Sequence, residues 1–484
     1  MASTMRGWLF SLWSMTLLVG FTAVPQATAN DRLNILFCIA DDWSYPHASI
    51  YGDPVVKTPA FDRVAREGAL CTRCYCAAPS CTPSRAAILT GRFPHSLEEG
   101  ANLWGFLPAR YAVYTDLLEK AGYHVGYMGK GWGPGNFQAG GRTRNPAGPV
   151  YKSFTQFLDT CPKDKPFCFW FGSTDPHRPY ERDAGRKAGL NPERVRVPLF
   201  WPDCPEVRHD ILDYYFEVRR FDDQVAGLLT ELEKRGLYER TLIVITSDNG
   251  MPFPRCKANL YDLGTHMPLA IRWPGVTRPG MRVDQFISHV DLAPSFLAAA
   301  GLPIPGDWHG RNLKPLLTGK AKSWPDAVFT ERERHAYVRQ GNLSYPARAI
   351  RTERFLYIRN FRPDRWPAGD PQLVFAVGPF GDIDDGPTKQ IILARRNDPD
   401  WRRYFTLSCG KRPAEELYDL QKDPDELENL ADKPEYAAIK QQLAARLHAW
   451  MKETGDPRAT QDDDRFDKFP YYGGPFKQQK SQPR

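Results

Sequence analysis

The stretch Asn34–Asp42, NILFCIADD, decides how the chain is read. A mainly apolar run without a charge reaches Ala40 and stops at two adjacent aspartates. A strand exposed on one face would alternate polar with apolar residues. An unbroken run is the pattern of a strand buried on both faces, as in a parallel sheet covered by helices. Outward from it the same pattern recurs. PFCFWFGST (166–174) ends before Asp175-Pro176-His177, and TLIVITS (241–247) ends at Asp248-Asn249-Gly250. HVGYMGK (124–130) closes on Lys130. Helical segments lie between them. TPAFDRVAREG has Thr58 as N-cap, Pro59 at the first position and Gly68 as the stop. VYTDLLEKAGY is closed by Gly122, and residues 207–235 are amphipathic throughout. The alternation predicts an α/β fold with a large, mainly parallel sheet flanked by helices. In such sheets ligands bind beyond the C-terminal strand ends. Asp41-Asp42, Asp175-Pro176-His177 and Asp248-Asn249 are therefore expected to converge on one edge.

From about residue 320 the grammar changes. DAVFTE, ARAIRTE and RFLYIRNF alternate more, as antiparallel strands do, and a Pro/Gly-rich stretch over 362–388 interrupts them. Helical EYAAIKQQLAARLHAWMKET and a polar tail close the chain. The organisation read is a leader at 1–29, a catalytic domain at 30–320 and a smaller α+β subdomain with an antiparallel sheet at 321–484. The leader has Arg6, an apolar run and Ala27-Thr28-Ala29, the small-x-small pattern of a signal peptide, so the protein is expected to be exported. No later stretch is long and apolar enough to span a bilayer. The leader's one charge is Arg6, so its removal takes the net charge from +7 to +6. With no Lys/Arg cluster, that excludes nucleic acid as a partner and agrees with an anionic small substrate. Ten cysteines at irregular spacing are not a disulfide framework, and CTRCYCAAPSC lacks the second ligand pair of a zinc knuckle. Cys38 and Cys168 lie in apolar runs and read as core.

Asp41, Asp42, Asp248 and Asn249 form an oxygen-only donor set, which favours Ca²⁺, or Mg²⁺, over zinc. Lys130, His177 and Lys257 lie in or beside the same loops and suit the oxygens of an oxyanion. Arg85 stands four residues after Cys81, placed to hold whatever Cys81 becomes.

Cys81-Thr82-Pro83-Ser84-Arg85 followed by Leu89-Thr90-Gly91 resembles the signature of the type I sulfatases. ADDW, GYHVGYMGK, DPHRPY, TSDNGMPFPRCKANLYDLGTHMPL and ELYDLQKDPDELENLA resemble the other blocks of that family, in order. The resemblance implies an alkaline-phosphatase-like fold. It also implies that a formylglycine-generating enzyme converts Cys81 to Cα-formylglycine, which joins the metal ligands. Its hydrated aldehyde would attack sulfur with help from the metal, Arg85 and Lys130. His177 or Lys257 would protonate the leaving group, and the second hydroxyl would then expel sulfate. SDNGMPFP, NLYDLGT, DPHR and Ser344-Tyr345-Pro346-Ala347-Arg348 look most like the heparan N-sulfatase branch. The implied substrate is a sulfated saccharide carrying N-sulfoglucosamine, with Asp175 and His335 as candidate substrate contacts.

One departure bears on mechanism. The family usually has a histidine two residues after the lysine of its GK block, and here Trp132 stands there. His95 or an aspartate of the metal site is left as the alternative base, and Trp132 as a candidate pocket wall. Three other readings remain open from sequence: an O-sulfated polysaccharide sulfatase, a phosphodiester or phosphonate hydrolase of the same superfamily, and an inactive glycan-binding homologue.

Overall fold

In a computed structural model of the protein, Met1, residues 32–461 and residues 464–475 are described. Apart from Met1, the leader read at 1–29 lies outside the described residues, as does the end of the tail. Among the described residues, no helix is long and apolar enough to cross a membrane.

The larger sheet holds β1 (Asn34–Ala40), β2 (Ala69–Tyr75), β3 (His124–Gly129), β4 (Phe167–Gly172), β5 (Thr241–Ser247), β6 (His266–Arg272), β7 (Met281–Val283) and β8 (Ile287–Ser288). Their order is β3-β4-β1-β5-β6-β2-β7, with β8 also paired to β2. The four strands β3, β4, β1 and β5 run parallel. β6 is antiparallel to both β5 and β2, so β2 points the same way as β1. The sheet is thus mixed and mainly parallel, as the strand patterns predict.

β1 is buried along its whole length, and its pleat explains why no residue in it is charged. Leu36, Cys38 and Ala40 face a core that includes Leu212, Val218 and Phe221 of the helix Pro205–Lys234. Ile35, Phe37 and Ile39 face a second core on the other side, with Trp170 and Phe296. Each large side chain so buried contributes about 1.5–3 kcal/mol. Cys38 and Cys168 are core residues as expected, and all ten cysteines are free thiols.

Strands β2 and β6 carry no such pattern in the sequence. ALCTRCY mixes Thr72 and Arg73 into its run, and its pairing with β6 shifts register between Cys71 and Cys74. β6 carries Pro268, which argues against a central strand by pattern alone.

The smaller sheet holds β9 (Ala327–Arg332), β10 (Ala347–Thr352), β11 (Phe355–Asn360) and β12 (Glu415–Asp419), in the order β12-β11-β10-β9. All its pairings are antiparallel. Leu443, Leu447 and Trp450 of the helix Ala437–Glu453 share a core with Ile350, Tyr357 and Leu417 of this sheet.

Candidate active site

Register decides which side chains meet. Ala40 of β1 pairs with Ser247 of β5, and Ile39 pairs with Gly172 of β4. Gly129 of β3 pairs with Gly172 in turn. Four parallel strands therefore end together, and the next residues along each, Asp41-Asp42, Asp248-Asn249, Asp175–His177 and Lys130, share one edge. The crossing from β3 needs small residues. A Cβ on Gly172 would lie 1.8 Å from the Lys130 carbonyl oxygen, so a side chain there would displace Lys130.

β2 ends at the same edge and leads into the helix Cys81–Thr90, all ten of whose residues are buried. Ser80 is its N-cap, yet its side chain makes no capping bond. Its Oγ instead lies 2.8 Å from Nδ1 of His335. Cys81 Sγ lies 3.5 Å from Asp41 Oδ1 and 4.0 Å from Asp42 Oδ1. Burial pushes its thiol well above the usual range, and Lys130 and Lys257 do not offset that. A thiol held protonated is a poor thiolate nucleophile, which agrees with Cys81 as a precursor.

Lys130 Nζ donates to both oxygens of Asp41, each at 2.7 Å. Burial opposes ionisation of Asp41, but Lys130, then His177 and Arg85, hold its carboxyl below the usual carboxylate range. Lys257 Nζ lies 2.7 Å from Asp42 Oδ2 and 3.3 Å from Asp384 Oδ2. Burial works against the charge on Lys257, but Asp384 and Asp42 outweigh it and raise its pKa well above the usual value. Asp42 is pushed up to about 6, chiefly by burial, with the Asp41 and Asp248 carboxylates adding to it. Arg85 is wholly buried. Its Nε donates to Asp248 Oδ2 at 2.8 Å, and its Nη1 donates to the carbonyls of Lys130 and Gly131. Asp248 Oδ1 accepts from the Asp42 amide at 3.0 Å.

A cation fits this donor set. Asp41, Asp42 and Asp248 are buried together, and Asn249 Nδ2 donates to Asp42 Oδ1 at 2.7 Å. That orientation leaves Asn249 Oδ1 buried with no hydrogen-bond partner among the described residues. Ligand atoms of Asp41, Asp42 and Cys81 lie within 4.8 Å of one another. Oxygen donors of this kind suit a hard divalent ion.

Other candidates fall differently. His177 Nε2 is 3.8 Å from Asp42 Oδ2, and its side chain is 32% exposed, so it faces the mouth of the site. The Asp175 carboxylate turns instead to the helix Pro205–Lys234, accepting from Gln224 at 3.0 Å, while the Asp175 carbonyl accepts from the Asp41 amide. It is not brought among the clustered side chains; its backbone is. His95 is not available as a base. Its ring nitrogens meet Glu331 at 2.5 Å and the Thr454 carbonyl at 3.2 Å. Trp132 is no pocket wall either: its ring is buried in the second core, and its indole nitrogen has no partner among the described residues. His335 is buried and held neutral, its pKa lowered to about 3 by burial and by the nearby cations Lys257 and Arg332. Asp384 was missed. It lies within 362–388, read only as an interruption, and its one signal is the acidic cluster in GDIDDGPT.

This edge brings together buried oxygen donors, a buried cysteine at a helix N-terminus and flanking lysines. The sulfatase family model matches residues 33–143 and 135–302, and the chain belongs to that family. It is a hydrolase of sulfate esters or sulfamates. A second model, N-sulphoglucosamine sulphohydrolase, C-terminal, matches residues 256–372. The chain is 29% identical to an ulvan-active sulfatase of Formosa agariphila, over 89% of this chain and 82% of that protein. It is also 29% identical to human N-sulphoglucosamine sulphohydrolase, over 88% of this chain and 91% of that protein. Among solved structures, one described as in complex with its substrate D-glucosamine-2-N,6-O-disulfate superposes with a TM-score of 0.63 at 22% identity. That match covers 90% of this chain and 99% of the other. Phosphonate monoester hydrolase of Agrobacterium radiobacter superposes with a TM-score of 0.62 at 20% identity, covering 87% and 96%. These two likenesses are of fold.

Proposed function

We propose that the protein removes sulfate from the nitrogen of N-sulfoglucosamine in a heparan-type saccharide. One observation carries the reading. The segment similar to the N-sulphoglucosamine sulphohydrolase C-terminal model is the one that brings Lys257 to Asp42 and His335 to Ser80. In this reading Cys81 is converted to Cα-formylglycine by a formylglycine-generating enzyme during export. The hydrated aldehyde supplies paired hydroxyls, and a Ca²⁺ bound by Asp41, Asp42, Asp248, Asn249 and the modified Cys81 supplies Lewis-acid polarisation.

The remaining chemistry belongs to the chain. The buried helix headed by Cys81 turns its positive dipole end toward developing negative charge. Lys130 and Lys257, both held charged, balance the sulfate oxygens. Arg85 fixes Asp248 and the turn after β3, so the cation ligands and Lys130 keep one geometry. His177, the more exposed of the two candidate acids, protonates the departing nitrogen. With His95 occupied by Glu331, the metal-site carboxylates are the base that replaces the family histidine.

Sulfate release from N-sulfoglucosamine and from matched 6-O- and 2-O-sulfated sugars tests this, with protein co-produced with a formylglycine-generating enzyme and Cys81→Ala as control. Selective release from the N-sulfated sugar, lost in the variant, is expected. Release only from an O-sulfated sugar would favour the second reading, motivated by the equal identity to the ulvan-active sulfatase. Binding without release, by protein carrying the aldehyde, would favour an inactive homologue, and faster hydrolysis of phosphonate esters the phosphoryl branch.

A further inference from the structure

The site holds a carboxylate beyond those of the cation donor set. Asp41, Asp42 and Asp248 belong to the donor set that would hold the cation, and Arg85, Lys130 and Lys257 are paired with them. Asp384 is a fourth acid, 3.3 Å from Lys257 Nζ, with ligand atoms of Asp42, His177 and Asp384 within 4.8 Å of one another. It is 27% exposed, like His177 beside it and unlike the buried acids, so it stands at the mouth.

Asp384 is offset by Lys257, and beyond that pairing it favours a neutral or cationic ligand group over an anionic one at its own place. That place is the leaving-group side, where His177 stands. Hydrolysis of the sulfamate R–NH–SO₃⁻ with water gives R–NH₃⁺ and SO₄²⁻. The S–N electron pair goes to nitrogen, which gains protons, and water supplies the new oxygen on sulfur. Nitrogen thus becomes a cationic donor of several N–H groups as the bond breaks. A released hydroxyl offers one O–H and no charge.

Asp384 is also held in place. Asp382 accepts from Arg332 at 2.6 Å and from Arg339 at 2.5 Å. Lys389 Nζ donates to the Ile383 carbonyl at 2.7 Å, and Thr388 Oγ1 donates to Asp210 at 2.6 Å. A Cβ on Gly386 would lie 2.4 Å from Arg178 Cζ, so the turn packs directly on that arginine. Groups fixed this way are pre-organised for recognition.

We propose that Asp384 is a specificity-determining residue, its carboxylate accepting hydrogen bonds from the amino nitrogen released from sulfur. This deepens the N-sulfoglucosamine reading and rests on it. The test compares wild type with Asp384→Asn in two measurements. In the first, kcat/KM for N-sulfoglucosamine falls at least tenfold in the variant, while the affinity for inorganic sulfate does not fall. An unchanged kcat/KM, or a matching loss of sulfate affinity as expected if Asp384 acts only through Lys257, would overturn the proposal. In the second, calorimetry follows D-glucosamine and D-glucose binding. Wild type binds glucosamine more tightly than glucose, and the variant loses that preference. If wild type fails to hydrolyse the sulfamate, the functional reading fails while calorimetry still decides Asp384: no preference for the amine in wild type, or a preference that survives Asp384→Asn, overturns the proposal.

Discussion

Arg85 Nε donates to Asp248 Oδ2 at 2.8 Å, with both side chains fully buried. The same guanidinium reaches two carbonyls of the turn that carries Lys130. Removing one partner of a buried pair leaves an uncompensated charge, costing about 3–5 kcal/mol. Arg85→Met is therefore expected to lower stability by that amount in urea unfolding. Arg85→Lys recovers only part of it, because an ammonium cannot reproduce the planar fork.

A pH dependence is expected from His95. Burial favours its neutral ring, but the adjacent Glu331 carboxylate, bonded at 2.5 Å, outweighs that and raises its pKa. Asp456 adds to the rise, and Arg348 opposes it. A histidine raised above its unfolded value of about 6.5 contributes fully below that value and loses the contribution as pH rises through the folded one. Unfolding free energy measured across this range should fall with rising pH, and His95→Gln should flatten that slope. An identical slope in the variant would remove His95 as its source.

Cation binding should stabilise the fold. Added Ca²⁺ at one hundred times its dissociation constant is expected to add about 2.7 kcal/mol, reversed by a chelator. Asn249→Ala removes the buried, unpartnered Oδ1 and should shrink the shift in Tm at fixed Ca²⁺. An unchanged shift would place the ion elsewhere.

Restoring the family histidine is not expected to help. The Trp132 ring is part of the second core, while its backbone amide is held by Asn145 Oδ1 at 2.9 Å. Trp132→His should cost on the order of 3 kcal/mol as a large-to-small core change. Sulfate release should not rise. A faster variant would show that position 132 still reaches the chemistry.

Much of the site was legible because it sits where strands stop. β1, β4 and β5 are uninterrupted apolar runs, and the residues that end them are the ones that converge. β2 and β6 were not legible, since Arg73 and Pro268 break the local pattern and only pairing with neighbours makes these segments strands. Side-chain direction is a second limit. Asp175 and Trp132 were placed correctly along the chain, but packing turns one carboxylate toward Gln224 and one ring into the core. Asp384 reaches Lys257 across 127 positions of sequence, 384 minus 257, through a loop without periodicity. No local signal carries such a contact.

The central claim is that Cys81 is a precursor and not a thiol nucleophile. The most direct measurement is the mass of the Cys81-containing peptide from active, mature protein. An aldehyde or its hydrate at position 81, absent from protein produced without the modifying enzyme, is the expected result. An intact thiol in fully active protein would contradict it.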